Sequence, residues 1–360
     1  MAASLITTPD SPLLDELCSL LAERAGALTS ADVWPAEQLR LCGEYGVHRW
    51  FVSENHDGLG WSDADQIRGY LRLSAACLTT TFILTQRNGA VRRIADGDSD
   101  ELKRRLLPDL LAGTTFATVA ISHLTTSRRH LATPILRAEE ANDGFILDGY
   151  SAWVTGGCRA DVILTGATLA DERQILIAVP TDLPGVRTPT PERLIALASS
   201  QTGRLECERV RVGRKWLVAG PVENVMATAV GAKAGGLQTS TLAAGLSTAA
   251  IDYLAREAEK RTDLLGPLGG LRAECLDLKT DLIAAALGKP VCSNDELRRR
   301  ANSLVVRATQ AALTAAKGTG FVTGHPAGRW ACEALFFLVW SCPAPVANAV
   351  LCELAGLSEG

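Results

Sequence analysis

The sequence predicts an α+β protein with three regions: an N-terminal helical domain, a central antiparallel β domain and a C-terminal bundle of the four-helix type. Apolar residues recur at three- and four-residue spacing in both flanks of the chain. The middle consists instead of short β-branched or alternating runs separated by turn signals. Strands and helices do not alternate, which excludes a doubly wound parallel sheet.

The first region, residues 1–113, is expected to be helical. Helical periodicity runs through the strings LLDELCSLLAERAGAL, PAEQLRLCGEYGV and ADQIRGYLRLSAACL. Between the last two, the string VSENHDGLGWSD is rich in Gly, Asn and Asp and predicts a loop between helices. Ser62 at the end of this loop is a candidate N-cap for the next helix.

The second region, residues 114–222, is expected to form the sheet. Its short runs are TFATVAI, ILRAEE, GFILDGYSAWVT, DVILTGATL, QILIAVP and RLECERVRV. Asn-Asp-Gly, Gly-Gly and Pro-Gly signals separate them, which is typical of antiparallel strands joined by tight turns.

The third region, residues 223–360, returns to helical periodicity. Its long helical patterns are the run from Asn224 to Arg261, then AECLDLKTDLIAAAL, then NDELRRRANSLVVRATQAALTAAK. The apolar stretch from Ala334 to Leu351 contains two prolines and predicts a broken buried helix rather than a membrane span.

Composition narrows the possible partners and the compartment. The 360 residues are 47% hydrophobic and 21% charged with a formal net charge of -4, and they contain no basic block. Nucleic acid and membrane surfaces are therefore excluded as partners. The N-terminus has no basic segment ahead of an apolar run, so a cytoplasmic protein is expected.

Ten cysteines are scattered singly along the chain. They form no Cys-x-x-Cys pair, which argues against a metal site, and a chain this long does not need disulfides for stability. Most of them are expected to be small core residues.

Four strings, in order along the chain, carry a resemblance to a known family. They are EYGVHRWFVSENHDGLGWSDAD, ELKRRLLPDLLAGTTFATVAISHL, GFILDGYSAWVTGGCRADVIL and GTGFVTGHPAGR. Each is similar to a segment of the acyl-CoA dehydrogenase superfamily, and they follow one another in the family's order over nearly the whole chain. The resemblance implies the acyl-CoA dehydrogenase fold, with FAD bound between the β domain and the C-terminal bundle and shared across the interface of a homodimer or homotetramer.

The resemblance also implies roles at the flavin ring. Trp153 would pack on the isoalloxazine, Thr155 would hydrogen-bond the flavin near the hydride-accepting atom, and Ser122 would do similar work one strand earlier. Considered from the residues alone, Trp153 could be ordinary sheet core and Thr155 simply a β-forming residue.

A second group of residues is implied at the other end of the cofactor. Arg261 resembles the arginine that holds the FAD pyrophosphate of the neighbouring subunit, a bidentate task suited to guanidinium. Gly318 and Gly320 resemble the family's Gly-rich FAD-binding string. From the residues alone, the glycines could form a helix C-cap. Arg261 could be a cation in the last turn of a helix, where its charge complements the helix dipole.

The sequence departs from the family at the base that removes the substrate α-proton. Counting from Arg329 places Ser341 where most members have glutamate, and the position used by a minority lies near Gly235, which also has no carboxylate. Loss of a positioned base costs about two to four orders of magnitude in rate. Glu333 would lie about 12 Å from Ser341 if the intervening segment were one helix, too far to replace the base.

Other segments that would receive an acyl thioester differ as well. The family's Arg-Asp-Ala reads Cys332, Glu333 and Ala334, and its β-domain substrate string reads SHLTTSRRH. His123 within that string is a candidate base or proton donor beside the flavin, equally well interpreted as a structural histidine. For His325 the structural interpretation is favoured.

Three hypotheses about function follow. The first is an FAD-dependent oxidoreductase of the acyl-CoA dehydrogenase type that acts on an acyl thioester or a related small molecule with a non-standard base. The second is a flavin-dependent monooxygenase of the same fold, which would use reduced flavin from a partner reductase and need no α-proton base. The third is a catalytically degenerate paralogue with a structural or binding role.

Overall fold

A computed structural model describes residues 5–125, 134–228 and 236–357. Helices come first, a mostly antiparallel sheet follows, and helices end the chain, as the sequence predicted. The limits predicted for the three regions fall between secondary-structure elements, at the turn after Ala112 and after Val222.

Five helices form the N-terminal part. They are α1 (Pro12–Ala25), α2 (Ala36–Glu44), α3 (Asp63–Ala76), α4 (Leu78–Asp96) and α5 (Asp100–Ala112). Serine is the N-cap residue of α1, α3 and α5. In each case the hydroxyl accepts a hydrogen bond from a backbone N–H of the first turn. Ser62 caps α3 through the N–H of Asp65, so this sequence-based prediction is confirmed.

Eight strands form one sheet. They are β1 (Ala117–Ala120), β2 (Leu136–Ala141), β3 (Gly144–Val154), β4 (Val162–Thr168), β5 (Gln174–Pro180), β6 (Val186–Arg187), β7 (Gly203–Gly213) and β8 (Leu217–Val222). A one-turn helix, α6 (Ser122–Thr125), follows β1. The order is β6-β7-β3-β2-β4-β5-β8, with β1 paired to β4. All pairings are antiparallel except those of β1 and β2 with β4.

Six α-helices follow the sheet within the described residues. They are α7 (Gln238–Ala258), α8 (Leu265–Ala286), α9 (Asn294–Ala316), α10 (Pro326–Ala334), α11 (Phe336–Val339) and α12 (Ala344–Leu354). The apolar stretch near the end is broken into several helices as predicted, but it is not buried throughout, since Val339 is 79% and Leu351 63% exposed. No helix of the described ranges is long and apolar enough to cross a membrane.

Two details of this helical part differ from the sequence-based prediction. The first helix was expected to run from Asn224 to Arg261, but α7 begins only at Gln238 and ends at Ala258, so Arg261 lies in the turn after it. The second begins earlier than predicted, at Leu265, because Pro267 is tolerated in the first turn, where its missing N–H has no helical partner.

The helices of both ends share one hydrophobic core, and the sheet forms a second with α4 and α5. The expectation that most cysteines are core residues is wrong. Only four are buried, whereas the other six are partly or fully exposed, and all ten are free thiols. The buried ones are Cys42, Cys77, Cys207 and Cys275.

A glycine sets how closely α3 and α7 approach. A Cβ at Gly245 would lie 2.7 Å from the Leu71 carbonyl oxygen and 2.7 Å from the Ser74 Cβ. We expect Gly245→Ala to lower the free energy of unfolding by about 1–3 kcal/mol, because the helices must move apart.

Gly270→Ala is the matched control: Gly270 lies in α8 with no atom within 4 Å of the added Cβ. It should raise that free energy by up to about 1 kcal/mol. Denaturant unfolding of both variants measures this, and equal effects would contradict the packing argument.

Candidate functional site

Trp153, near the end of β3, faces open space rather than the sheet core. Its side chain is 41% exposed, whereas the next two residues are buried. Two adjoining cavities, of about 310 Å³ and about 570 Å³, lie beside it. The residues that line both cavities come from the sheet, from α4 and from the region of α11: Phe82, Ser122, Trp153, Phe336, Trp340 and Ser341. The three regions of the chain therefore meet at this tryptophan.

The smaller cavity has a mixed wall without acidic groups. Among the described residues that line it, none is Asp or Glu. Its polar groups are hydroxyls, amides and one guanidinium, from Thr85, Gln86, Arg93, Ser122, Thr125, Gln238, Thr239 and Ser341. No described group in this wall is a carboxylate base.

The larger cavity has a mainly apolar wall. Its aliphatic part comes from the segment 194–197 and from Leu335, Leu338 and Val339. The polar side chains are Thr202, Cys332 and Cys342 with the shared serines, and again no described lining residue is acidic. Such a wall suits an apolar ligand.

Ser122 provides a test of whether a flavin fits here. Its hydroxyl oxygen is buried and has no hydrogen-bond partner among the described residues. Because an unsatisfied buried hydroxyl is costly, a polar ligand edge at this point of the wall would remove the penalty. A flat aromatic ring against Trp153 with its polar edge at Ser122 matches both features, so the residues present fit FAD.

Thr155 lies just behind this wall. Its side chain is buried, and its hydroxyl lies 3.1 Å from the Thr202 hydroxyl, which lines the larger cavity. Its backbone carbonyl accepts a 2.8 Å hydrogen bond from Thr118. A direct contact of Thr155 with the flavin stays a prediction.

Two hydrogen bonds hold the ring of His123. Its Nε2 lies 2.8 Å from the Gly166 carbonyl oxygen, which only accepts, so Nε2 carries the proton. Nδ1, at 3.2 Å, then accepts from the Ser151 hydroxyl. Burial lowers the pKa of His123, so the ring is neutral. The ring lines neither cavity beside Trp153, and its two bonds favour a structural role. Its catalytic role stays a prediction without geometric support.

Ser341 lies in the wall of both cavities and has an unusual backbone. Its φ is +44°, in the left-handed region that non-glycine residues rarely adopt. The buried Arg298 of α9 fixes this turn by donating to the carbonyls of Phe337, at 3.3 Å, and Trp340, at 2.9 Å. The sequence analysis missed Arg298, although an arginine spaced with Ala301, Asn302 and Val305 on one helix face was a usable signal.

Glu333 does not reach this site. It is 4% exposed and lies 3.4 Å from the Thr79 hydroxyl and 3.7 Å from the Arg329 guanidinium. Burial raises the pKa of Glu333 to about 7. The condition for the 12 Å separation, a single helix from Glu333 to Ser341, is not met, because α10 ends at Ala334 and α11 at Val339. The alternative base position near Gly235 lies outside the described residues.

Arg261 and the two candidate glycines meet at the end of α9. The guanidinium donates to the Ala315 carbonyl at 2.9 Å and to Asp263 at 3.2 Å. Gly318 borders open space, whereas a Cβ on Gly320 would lie 2.8 Å from the Ala316 Cβ. Neither glycine is the helix C-cap, a position held by Lys317, and both belong to the following 3-10 turn.

His325 and a glycine that the sequence analysis missed complete this corner. The His325 Nδ1 accepts a 3.2 Å bond from the Ala327 N–H and caps α10, so its favoured structural interpretation agrees with the geometry. Gly328 is required because its Cβ would lie 2.4 Å from the Gly320 carbonyl oxygen. Pro326 at the helix start was the available signal for this turn.

Comparisons with known proteins agree with this arrangement. Residues 17–114 match the family model described as "Acyl-CoA dehydrogenase, N-terminal domain". The short-chain specific acyl-CoA dehydrogenase of mouse mitochondria is 23% identical over 345 residues, covering 88% of this chain and 83% of the mouse protein.

Solved structures show the same fold. A glutaryl-CoA dehydrogenase in complex with glutaryl-CoA superposes with a TM-score of 0.81 at 17% identity, over 96% of both chains. A glutaryl-CoA dehydrogenase of Mycobacterium smegmatis in complex with FADH2 gives 0.80 at 16% identity, covering 98% of this chain and 96% of that one.

Proposed function

The chain belongs to the acyl-CoA dehydrogenase superfamily, and from that premise we propose that it is an FAD-dependent oxidoreductase acting on an acyl thioester or a related small molecule. The observation that supports this best is the pair of cavities at Trp153 with the unpartnered Ser122 hydroxyl in their shared wall. Bound FAD would supply two-electron oxidation there, which no side chain of the wall can perform.

Different residues of the site bind the cofactor and the substrate in this proposal. Trp153 offers a flat apolar face to the ring, and Ser122 donates to the ring's polar edge. Arg261 and the open backbone at Gly318 hold a pyrophosphate, as the resemblance implies for the neighbouring subunit. The apolar segment from Leu335 to Trp340 covers the substrate and keeps water out.

Proton removal from the substrate would need a non-standard base. The described walls offer hydroxyls, amides and thiols but no carboxylate. Burial also raises the pKa of the Cys342 thiol, which makes it a poor base at neutral pH. We infer that α,β-dehydrogenation of an ordinary acyl-CoA is slow, by about two to four orders of magnitude relative to an enzyme with a positioned base.

A second candidate function is that of a flavin-dependent monooxygenase. The apolar wall of the larger cavity favours it, since such chemistry depends on excluding water and not on an α-proton base. Reduced flavin would then come from a partner reductase. A paralogue without catalysis would differ from both in failing to bind flavin.

One experiment separates these functions. The protein is reconstituted with FAD and titrated without oxygen against a panel of acyl-CoA thioesters while the visible flavin spectrum is recorded. Slow bleaching by a thioester supports the oxidoreductase. Absence of bleaching, together with substrate-dependent oxygen uptake when reduced flavin is supplied, supports the monooxygenase. Failure to bind FAD would overturn the oxidoreductase, and failure to bind reduced flavin as well, even in excess, would overturn both.

We expect Trp153→Ala to weaken FAD binding by about 10- to 100-fold, because stacking on an aromatic side chain contributes roughly 1–3 kcal/mol. The control, Trp153→Phe, keeps an aromatic face and should stay within about tenfold of the wild type. Quenching of flavin fluorescence on titration measures both constants. Equal affinities for the alanine variant and the wild type would show that the ring does not contact this side chain.

Association of chains is part of the proposal. Large apolar side chains are exposed on the C-terminal helices, and surfaces of this kind mark protein interfaces. They are Leu265, Leu276, Leu287, Val291, Leu351 and Leu354, each more than half exposed. We propose that they cover one another in a homodimer or homotetramer.

A further inference from the structure

A separate cavity of about 680 Å³ lies between α2, α4, α5 and the start of β1. It shares no described lining residue with the cavities at Trp153. Four arginines but only one acidic residue, Glu44, line it. Because its floor is formed by Arg87, we call it the Arg87 cavity.

Arg87 is a buried cation that no carboxylate of the described residues pairs with. Its side chain is 1% exposed, and one terminal nitrogen, Nη2, donates to the Leu110 carbonyl. The other, Nη1, is buried and has no partner in the described chain. Burial lowers the pKa of Arg87 to about 10, which still leaves it charged at neutral pH. Buried charges in proteins are normally paired, because an unpaired one is strongly destabilising.

His48 adds unsatisfied polar atoms to the same cavity. Both ring nitrogens are buried and have no partner in the part of the chain that the structure describes. The ring is clamped by two glycines, since a Cβ on Gly43 would lie 3.1 Å from Nδ1 and one on Gly113 would lie 3.2 Å from it. Burial and the nearby Arg87 lower the pKa of His48, so the ring is neutral and carries one N–H. Arg87 and His48 therefore each hold a donor without an acceptor.

The rim of the cavity is also cationic. Glu44 forms an ion pair with Arg40, and Arg40 also forms one with Glu37. Arg159 donates to the neutral amide oxygen of Gln201 at 2.8 Å, so its charge is not compensated by that bond. Arg49 lines the rim too, and no described carboxylate pairs with it.

An aromatic wall closes one side. Trp34 and Phe116 meet edge to face with ring centroids 5.4 Å apart, and both line the cavity. Water alone would satisfy the donors of Arg87 and His48 but would not neutralise the guanidinium. A ligand that carries negative charge on oxygen does both.

We propose that the Arg87 cavity binds a small organic anion through a carboxylate or phosphate group. The oxyanion accepts from Arg87 and His48 at the floor, Arg49 and Arg159 hold it from the rim, and Trp34 packs on the apolar part of the ligand. The site is independent of the flavin and of the redox reaction, so it can serve as a binding site whether or not the proposed function holds.

Calorimetric titration of the purified full chain with inorganic phosphate, and in parallel with acetate, tests the proposal. Both probes represent the oxyanion, and the tighter one identifies the ligand as a phosphate or a carboxylate. We expect Arg49→Gln and Arg87→Met each to weaken binding at least about tenfold, since a charge-assisted hydrogen bond is lost. Arg104→Gln removes an exposed charge from α5 that does not line the cavity, and should leave binding within about twofold.

The variants also separate this site from other anion-binding surfaces. Arg49 is only partly buried, so Arg49→Gln keeps the test valid if Arg87→Met does not fold. Failure of both probes to bind at millimolar concentration would overturn the proposal. So would binding that Arg49→Gln leaves unchanged, or that falls equally in Arg104→Gln, because the anion would then occupy another site or respond only to net charge.

Discussion

Ser341→Glu should raise the rate of flavin reduction by acyl-CoA thioesters by about two to four orders of magnitude. Ser341 lines both cavities at Trp153, in the position where the family resemblance places a glutamate, and no described carboxylate faces that space. A carboxylate introduced there would act as the base that removes the α-proton of the substrate. Stopped-flow reduction of the FAD-loaded variant without oxygen measures the gain.

Ser341→Gln is the matched control for this gain. It has the size of glutamate and imposes the same left-handed backbone cost at a φ of +44°, but it cannot accept a proton at neutral pH. We expect no increase in rate for glutamine. Similar rates for the two variants would mean that this position does not face the reacting carbon of the substrate.

Glu333→Gln should remove a pH dependence of stability. The pKa of Glu333 is raised from 4.5 to about 7 by burial, so the folded protein holds its proton more tightly than the unfolded chain does. That contribution is fully present below about pH 4.5 and is lost as the pH rises through about 7. The wild type should lose about 2–3 kcal/mol relative to Glu333→Gln between pH 5 and pH 8.

Denaturant unfolding of wild type and variant at both pH values measures this difference. Glu259→Gln is the control, since Glu259 is exposed and its removal should leave the pH dependence unchanged. If Glu333→Gln followed the wild-type pH profile, the carboxyl would be ionised in the folded protein, held by Arg329 and Thr79.

The order of helices, sheet and helices could be predicted because each carries its own periodicity. The seryl cap of α3 followed from a local rule, since a hydroxyl at the right spacing satisfies the first N–H groups. Helix ends were less predictable. The end of α7 before Arg261 depends on contacts with the end of α9, where the guanidinium meets the Ala315 carbonyl, and no local pattern encodes that pairing.

The position of a site residue could be predicted from the sequence only where that residue lies in a recognisable strand or motif. Trp153 was identified through the resemblance, and its exposure depends on the space left between sheet and helices. His123 could not be assigned from the sequence, because its orientation is decided by Gly166 on another strand. The helix-face spacing of Arg298 indicated burial but not its partners, because these, like the partner of Arg87, are backbone carbonyls more than 20 residues away in the chain.

A crystal structure of the FAD-loaded protein tests the central claim most directly. We predict the isoalloxazine ring against Trp153, with a polar edge at the Ser122 hydroxyl and no carboxylate oxygen facing the ring from position 341 or from any other segment. A ring bound elsewhere, or a glutamate or aspartate reaching the ring's reacting face, would contradict the account.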